Sequence, residues 1–164
     1  ERAAHWVTDG GLTTDRGYLL LAVAEQTPNE DERARLLAAA EQATADGLAL
    51  APGQPSAWAR LAYLRWRRGD GPAAAAALRL SFLSGATTPP LMESRLALAV
   101  ELLEHFDADT RALLERQARL FWVLAPDRAA AWARNPAVAD LAARGLAGLS
   151  DLEVEQFVRF HGPR

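Results

Sequence analysis

The stretch from Pro52 to Gly85 constrains the fold of this chain most, because it has the pattern of two helices joined by a tight turn. Pro55 suits a first helical turn, where its missing N–H leaves no helical hydrogen bond unmade. Apolar residues then recur at helical spacing until the segment Gly69-Asp70-Gly71-Pro72 interrupts them. Five consecutive alanines follow, with high helix propensity and almost no side-chain bulk. The stretch therefore predicts a closely packed helix pair.

The spacing within this helix pair resembles that of a tetratricopeptide repeat, a unit of about 34 residues with a W-x2-L-G-x2-Y signature. Trp58 takes the place of the signature Trp, and Leu61 takes the place of the Leu. The chain departs from the signature at Arg65, where Tyr is typical, and at Ala86, where the closing Pro is typical. The match is therefore one of layout more than of individual residues.

The neighbouring stretches read as degenerate copies of the same unit. Pro52 precedes Trp58 by six residues, and Pro126 precedes Trp132 by six. We therefore predict a single domain that covers residues 1–164. Its parts are an N-terminal arm (1–13), a degenerate first repeat (14–52), a second repeat (53–86), a third repeat (87–126) and C-terminal capping helices (127–164).

The pattern predicts an all-α fold without β-sheet, and the resemblance implies a right-handed helical solenoid of about three helix pairs plus a C-terminal helical cap. Trp58 is expected to be buried between the helices of its repeat, with Trp132 in the corresponding place. Asn29 with Glu32 and Ser150 with Glu153 have the spacing of capping boxes. The main helices are predicted at 14–27, 30–51, 55–69, 72–84, 90–106, 109–125 and 150–161, with a short helix at 137–144.

Charge and composition argue against several classes of partner. A net charge of −3 gives no general attraction to nucleic acid or to an anionic membrane. No apolar run approaches the roughly 18 residues of a membrane-spanning helix, so this segment is not expected to insert into a membrane. The absence of cysteine excludes disulfides and thiolate metal sites. All 18 basic residues are arginine, which is typical of GC-rich bacterial coding.

The sequence predicts no catalytic residue, no cofactor and no metal site. It contains no nucleophile elbow, P-loop, HExxH or dinucleotide-binding fingerprint. The histidines, His5, His105 and His161, lack the spacing of metal ligands. The acidic group from Glu104 to Asp109 is typical of a helix end followed by an N-cap, with a metal or acid–base site as the second reading. We therefore expect this chain not to be an enzyme.

The run Tyr63-Leu64-Arg65-Trp66-Arg67-Arg68 is the most distinctive surface candidate. Arginines beside aromatic rings can bind nucleic acid by stacking and phosphate contacts. The negative net charge disfavours that role, and the run is also explained by a core Trp66 with solvated arginines. The resemblance implies a third role, because first helices of tetratricopeptide arrays line a concave groove that holds a partner segment. These groove places fall on Ser56, Ala59, Tyr63, Trp66 and Arg67, and in the third repeat on Leu91, Ser94, Leu98, Glu101 and Leu102.

We therefore predict a non-catalytic protein-interaction or scaffolding module whose partner is a protein or peptide with apolar anchors and an acidic group. The competing class is an enzyme or small-ligand binder with its site in the superhelix cavity. The composition also resembles that of accessory proteins in bacterial cell-envelope and exopolysaccharide assembly. That resemblance implies a periplasmic location after a removed N-terminal anchor or signal peptide, and otherwise a cytoplasmic one. The oligomeric state is left open.

Overall fold

The structure is a computed structural model that describes residues 9–162, and all regular elements in that range are helical. The all-α prediction is therefore confirmed, whereas His5 and Trp6 of the predicted arm lie outside the described residues. The helices are α1 (Gly10–Gln26), α2 (Glu30–Leu50), α3 (Pro55–Arg67), α4 (Gly71–Ser84), α5 (Pro89–Glu101), α6 (Ala108–Leu124), α7 (Pro126–Trp132), α8 (Ala139–Ala147) and α9 (Asp151–His161), with a 3-10 turn at Leu103–His105.

Local capping signals place several of the helix ends. The Asn29 side chain accepts a hydrogen bond from the Glu32 amide at 2.9 Å. Ser150 and Glu153 form a complete capping box at the start of α9. Gly69 has a φ of +80°, so the chain leaves α3 through the left-handed region that favours glycine. The positions of these ends agree with the sequence prediction because each depends on residues close together in the chain, although Asn29 shows only one of the two hydrogen bonds of the predicted capping box.

The start of α1 differs from the prediction, which places residues 1–13 in an arm and begins the helix at residue 14. The helix begins at Gly10, and Asp9 caps it by accepting a hydrogen bond from the Gly11 amide at 2.7 Å. Glycine occupies this helix start because the start of α1 packs closely against the end of α2. A Cβ atom on Gly10 would lie 2.7 Å from the Cβ of Ala51, so only glycine fits there.

The antiparallel helices α1 and α2 meet along a line of small residues, which we call the glycine seam (Gly10, Thr14 and Gly17 of α1; Thr44 and Gly47 of α2). A Cβ atom on Gly17 would lie 2.2 Å from Thr44 Oγ1, and one on Gly47 would lie 2.7 Å from the Thr14 amide nitrogen. The two backbones therefore approach more closely than any larger side chain would allow. This seam fixes the position of α1, and α2 in turn packs against α3.

The chain divides into two compact units between Ala77 and Leu78. In the second unit, α6 packs against α5, α7, α8 and α9. Gly145 is predicted to follow the short helix but lies inside α8. It packs closely against α6, since a Cβ atom at this position would lie 2.8 Å from the Ala118 Cβ. The helix predicted at 90–106 ends earlier, at Glu101, and a 3-10 turn follows it.

The two tryptophans at equivalent sequence positions differ in burial. Trp132 is buried as predicted, with 8% of its surface exposed. Its ring makes an edge contact with the Phe121 ring, 5.9 Å away between centroids. The prediction was wrong for Trp58, which is only half-buried. Its indole Nε1 donates to the carbonyl of Pro52 at 2.7 Å, at the entrance to α3. Smaller residues of α3 fill the core there instead: Ala57, Leu61, Ala62 and Leu64.

A buried arginine organises one turn of the second unit. Arg95 is 1% exposed, and it donates to Ser81 Oγ at 2.9 Å and to the Gly85 carbonyl at 2.7 Å. Gln117 of α6 completes the group by donating to the Ala86 carbonyl at 2.7 Å. Burial lowers the pKa of Arg95 to about 10. The side chain remains a cation at neutral pH and ties the 85–86 turn to α5 and α6.

Candidate partner-binding surface

Helix α3 runs alongside α1 in the same direction, and long side chains bridge the two. The Arg60 guanidinium donates to the Thr14 carbonyl at 2.5 Å and lies over the Tyr18 ring, 5.1 Å from its centroid. Further along both helices, Arg67 Nη1 donates to Glu25 Oε1 at 2.7 Å. These contacts hold the outward part of α3 in a fixed orientation relative to α1.

Four side chains at the C-terminal end of α3 and α1 form a connected polar and aromatic group. The Tyr63 hydroxyl donates to Glu25 Oε1 at 3.0 Å and accepts from Arg67 Nη1 at 2.7 Å. The rings of Tyr63 and Trp66 lie 5.8 Å apart between centroids, at 40°. The hydrogen bond with Tyr63 and the charge of Glu25 outweigh burial and raise the pKa of Arg67. Arg67 is therefore a permanent cation with a fixed neighbour.

The five residues predicted to line the groove in the second repeat share one face of α3, and we call them the α3 surface. Ser56 and Arg67 are exposed, whereas Ala59, Tyr63 and Trp66 are half-buried. Their spacing of three and four residues places them in a row along the helix. The structure thus brings the predicted residues together on an accessible face, and partner binding by that face stays a prediction.

The remaining arginines of the run are ion-paired to α2. Arg65 Nε lies 3.4 Å from Glu41 Oε1, and Arg68 Nη1 bonds to the other oxygen of the same carboxylate. Arg65 also donates to the Ala73 carbonyl at 3.3 Å. Glu25 and Glu41 thus balance most of the charge that the run carries. This balance disfavours phosphate binding, which depends on cations free to replace counterions.

Sequence reasoning missed both glutamates, because Glu25 and Glu41 stand 42 and 27 residues from their arginines. Helical spacing within α3 carries no information on which residues of other helices face it. The signal that could have found them is the absence of any acidic residue within α3 itself, so its arginines had to pair elsewhere or stay solvated.

The groove prediction for the third repeat was wrong at two of its five places. Leu98 and Leu102 are buried, with 9% and 1% of their surfaces exposed, so neither can contact a partner. Of the other three, Leu91 is half-buried, while Ser94 and Glu101 are exposed. The helical spacing of the five places is correct. Leu98 and Leu102 face inward, however, because α6 and α7 pack against α5.

The acidic group from Glu104 to Asp109 has a structural role at the start of α6. Asp107 accepts a hydrogen bond from the Thr110 amide at 2.7 Å, and contacts with Thr110 lower the pKa of Asp107. Within residues 9–162, no three His, Cys, Asp or Glu side chains converge as metal ligands would. No helix in this range is both long enough and apolar enough to cross a membrane.

The chain shows no significant match to known protein families, to curated proteins or to solved structures. The tetratricopeptide-like spacing around Trp58 is therefore not accompanied by a family assignment.

Proposed function

We propose that this chain is a non-catalytic protein-interaction module with a tetratricopeptide-like arrangement of helix pairs, in which the α3 surface lies on the concave side and binds a protein or peptide segment. The parallel course of α1 and α3 carries the proposal. Stacked repeats place equivalent helices side by side in the same direction. The contacts of Arg60 with Thr14 and of Arg67 with Glu25 align the two helices in this way.

The chemistry of the α3 surface suits a partner with an apolar anchor beside a carboxylate. Tyr63 and Trp66 offer a large contact area at low entropic cost, and such residues dominate binding energy at many interfaces. The guanidinium of Arg67 can hold a carboxylate with two parallel hydrogen bonds. Because the Tyr63 hydroxyl already orients Arg67, little side-chain entropy is lost on binding.

The same proposal extends to the cellular setting. The arginine- and alanine-rich, lysine-free composition supports an accessory role in bacterial envelope or exopolysaccharide assembly, with the module in the periplasm. Fractionation of the native cells, followed by immunoblotting for this chain, tests that location. Recovery in the cytoplasmic fraction alone would contradict it while leaving the α3 surface untouched.

A charge exchange tests the α3 surface without losing its internal ion pair. Arg67→Glu places two carboxylates together, whereas the double variant Glu25→Arg/Arg67→Glu restores a pair of reversed polarity. Both variants are expected to lose an acidic partner, and Tyr63→Ala should weaken binding of the same partner. The matched control is the exposed pair Arg128–Glu93, 2.7 Å apart, whose exchange changes charge in the other unit.

The measurement is quantitative pull-down from the native extract, with circular dichroism to confirm that each variant stays helical. Binding that survives both exchanges contradicts the proposal. Binding that is lost in Arg67→Glu but restored in the double variant shows that the ion pair supports local packing and that Arg67 is not a partner contact. Loss of the same partner in the control exchange would move the interface to the other unit.

A further inference from the structure

The second unit contains a half-open cavity of about 440 Å³ with a mostly apolar lining. Trp122 of α6 and Phe157 of α9 supply aromatic surface, and Leu149 and Val154 supply aliphatic surface. This volume lies within the roughly 300–1,000 Å³ range that is typical of small-ligand pockets. The cavity is therefore large enough for an organic molecule and is more than a packing defect.

One charged group interrupts the apolar lining. Asp127 is the single charged residue among the described residues that line the cavity. Within residues 9–162, its carboxylate makes no ion pair or hydrogen bond. The neighbouring Arg128 does not neutralise it, because Arg128 is paired with Glu93. One exposed carboxylate in the first turn of α7 thus lies beside apolar walls without an ion-pair partner among the described residues.

The indole of Trp122 can offer a ligand its apolar ring but not its N–H group. Its Nε1 already donates to the Ala142 carbonyl at 2.9 Å. Aromatic faces attract cations through their ring quadrupoles, most strongly for Trp. Two aromatic residues and a carboxylate in one apolar cavity combine the elements by which proteins recognise organic ammonium groups.

We propose that this cavity binds a small organic cation, with its apolar body against Trp122 and Phe157 and its positively charged nitrogen beside Asp127. A neutral apolar ligand would gain nothing from the exposed carboxylate, and an anion would be repelled by it. The site lies in the second unit, apart from the α3 surface in the sequence, and is a binding activity beyond the proposed protein interaction.

The probe is benzyltrimethylammonium, titrated by isothermal calorimetry into the intact chain, beside benzyl alcohol as a neutral probe and benzoate as an anionic probe. The cation is expected to bind saturably in the millimolar range or tighter. We expect it to bind at least about threefold more tightly than either other probe, the effect of one partly exposed charge pair. Rising ionic strength should weaken binding of the cationic probe more than binding of the neutral probe.

Two variants with matched controls locate the site. Asp127→Asn should weaken the cation about threefold or more, while Asp31→Asn, the same change at the second residue of α2, should leave its affinity unchanged. Ala130→Leu should fill the cavity and abolish binding, whereas Ala131→Leu, at a neighbouring exposed alanine outside the lining, should not. The proposal is overturned if the cation does not bind saturably or if the neutral probe binds equally well. It is also overturned if Asp127→Asn or Ala130→Leu binds the cation with wild-type affinity.

Discussion

Substituting Gly17 by alanine should destabilise the chain by about 1–3 kcal/mol, although alanine is the better helix former by about 1 kcal/mol. The new Cβ atom would lie 2.2 Å from Thr44 Oγ1 and 3.0 Å from the Ala40 carbonyl oxygen. Thr44 Oγ1 cannot rotate away freely, because it donates to that carbonyl at 2.7 Å, and losing this bond costs about 1 kcal/mol more. The helices of the glycine seam must then separate.

Urea denaturation followed by circular dichroism measures the effect. Gly53→Ala is the matched control, because no atom lies within 4 Å of a Cβ built at that position, and it should not destabilise. The double variant Gly17→Ala/Thr44→Ala should recover part of the loss, since it removes the closest clashing atom. A Gly17→Ala variant as stable as the wild type, with an unchanged denaturant slope, would refute close packing at the seam.

Two further predictions concern the burial of the tryptophans and the titration of Glu153. Trp132→Ala should lower the unfolding free energy by about 3–5 kcal/mol. Trp58→Ala should lower it markedly less, because Trp58 is only half-buried. Parallel urea titrations of the two variants measure this difference. Burial raises the pKa of Glu153, but hydrogen bonds from Ser150 and the nearby arginines lower it below its ordinary value of 4.5. The contribution of Glu153 to stability is therefore present above pH 4.5 and is lost as the pH falls through the lower folded-state value. Amide exchange in α9 should show an acid-induced loosening that Glu153→Gln lacks, and identical acid profiles for the two proteins would contradict this.

The sequence predicts helix ends well where the deciding contacts are local. Asn29, Ser150 and Gly69 each act on residues a few positions away, so composition and spacing contain the answer. The same reasoning fails at Gly10, which it leaves outside the predicted helix, because glycine is usually a helix breaker. Here its small size serves contact with α2, which lies far along the chain.

The candidate surface shows the same limit. Helical spacing places Tyr63, Trp66 and Arg67 on one face, but it cannot identify Glu25 as their neighbour. For Leu98 and Leu102, spacing chooses a helix face without stating whether that face meets solvent or another helix. Tertiary packing decided that question against the groove prediction. The cavity beside Asp127 is likewise formed by residues of four helices and a loop, which no local pattern connects.

The contact of Glu25 with Arg67 has a consequence for how any acidic partner would bind. Glu25 is a tethered competitor, present at an effective concentration on the order of millimolar, and a partner carboxylate must displace it. A ligand with one acidic anchor therefore exchanges rapidly and binds weakly, however well its carboxylate fits. If the α3 surface binds as proposed, partners that also engage Tyr63 and Trp66 would overcome the competition, and the ion pair would then act as a selectivity threshold against stray acidic peptides.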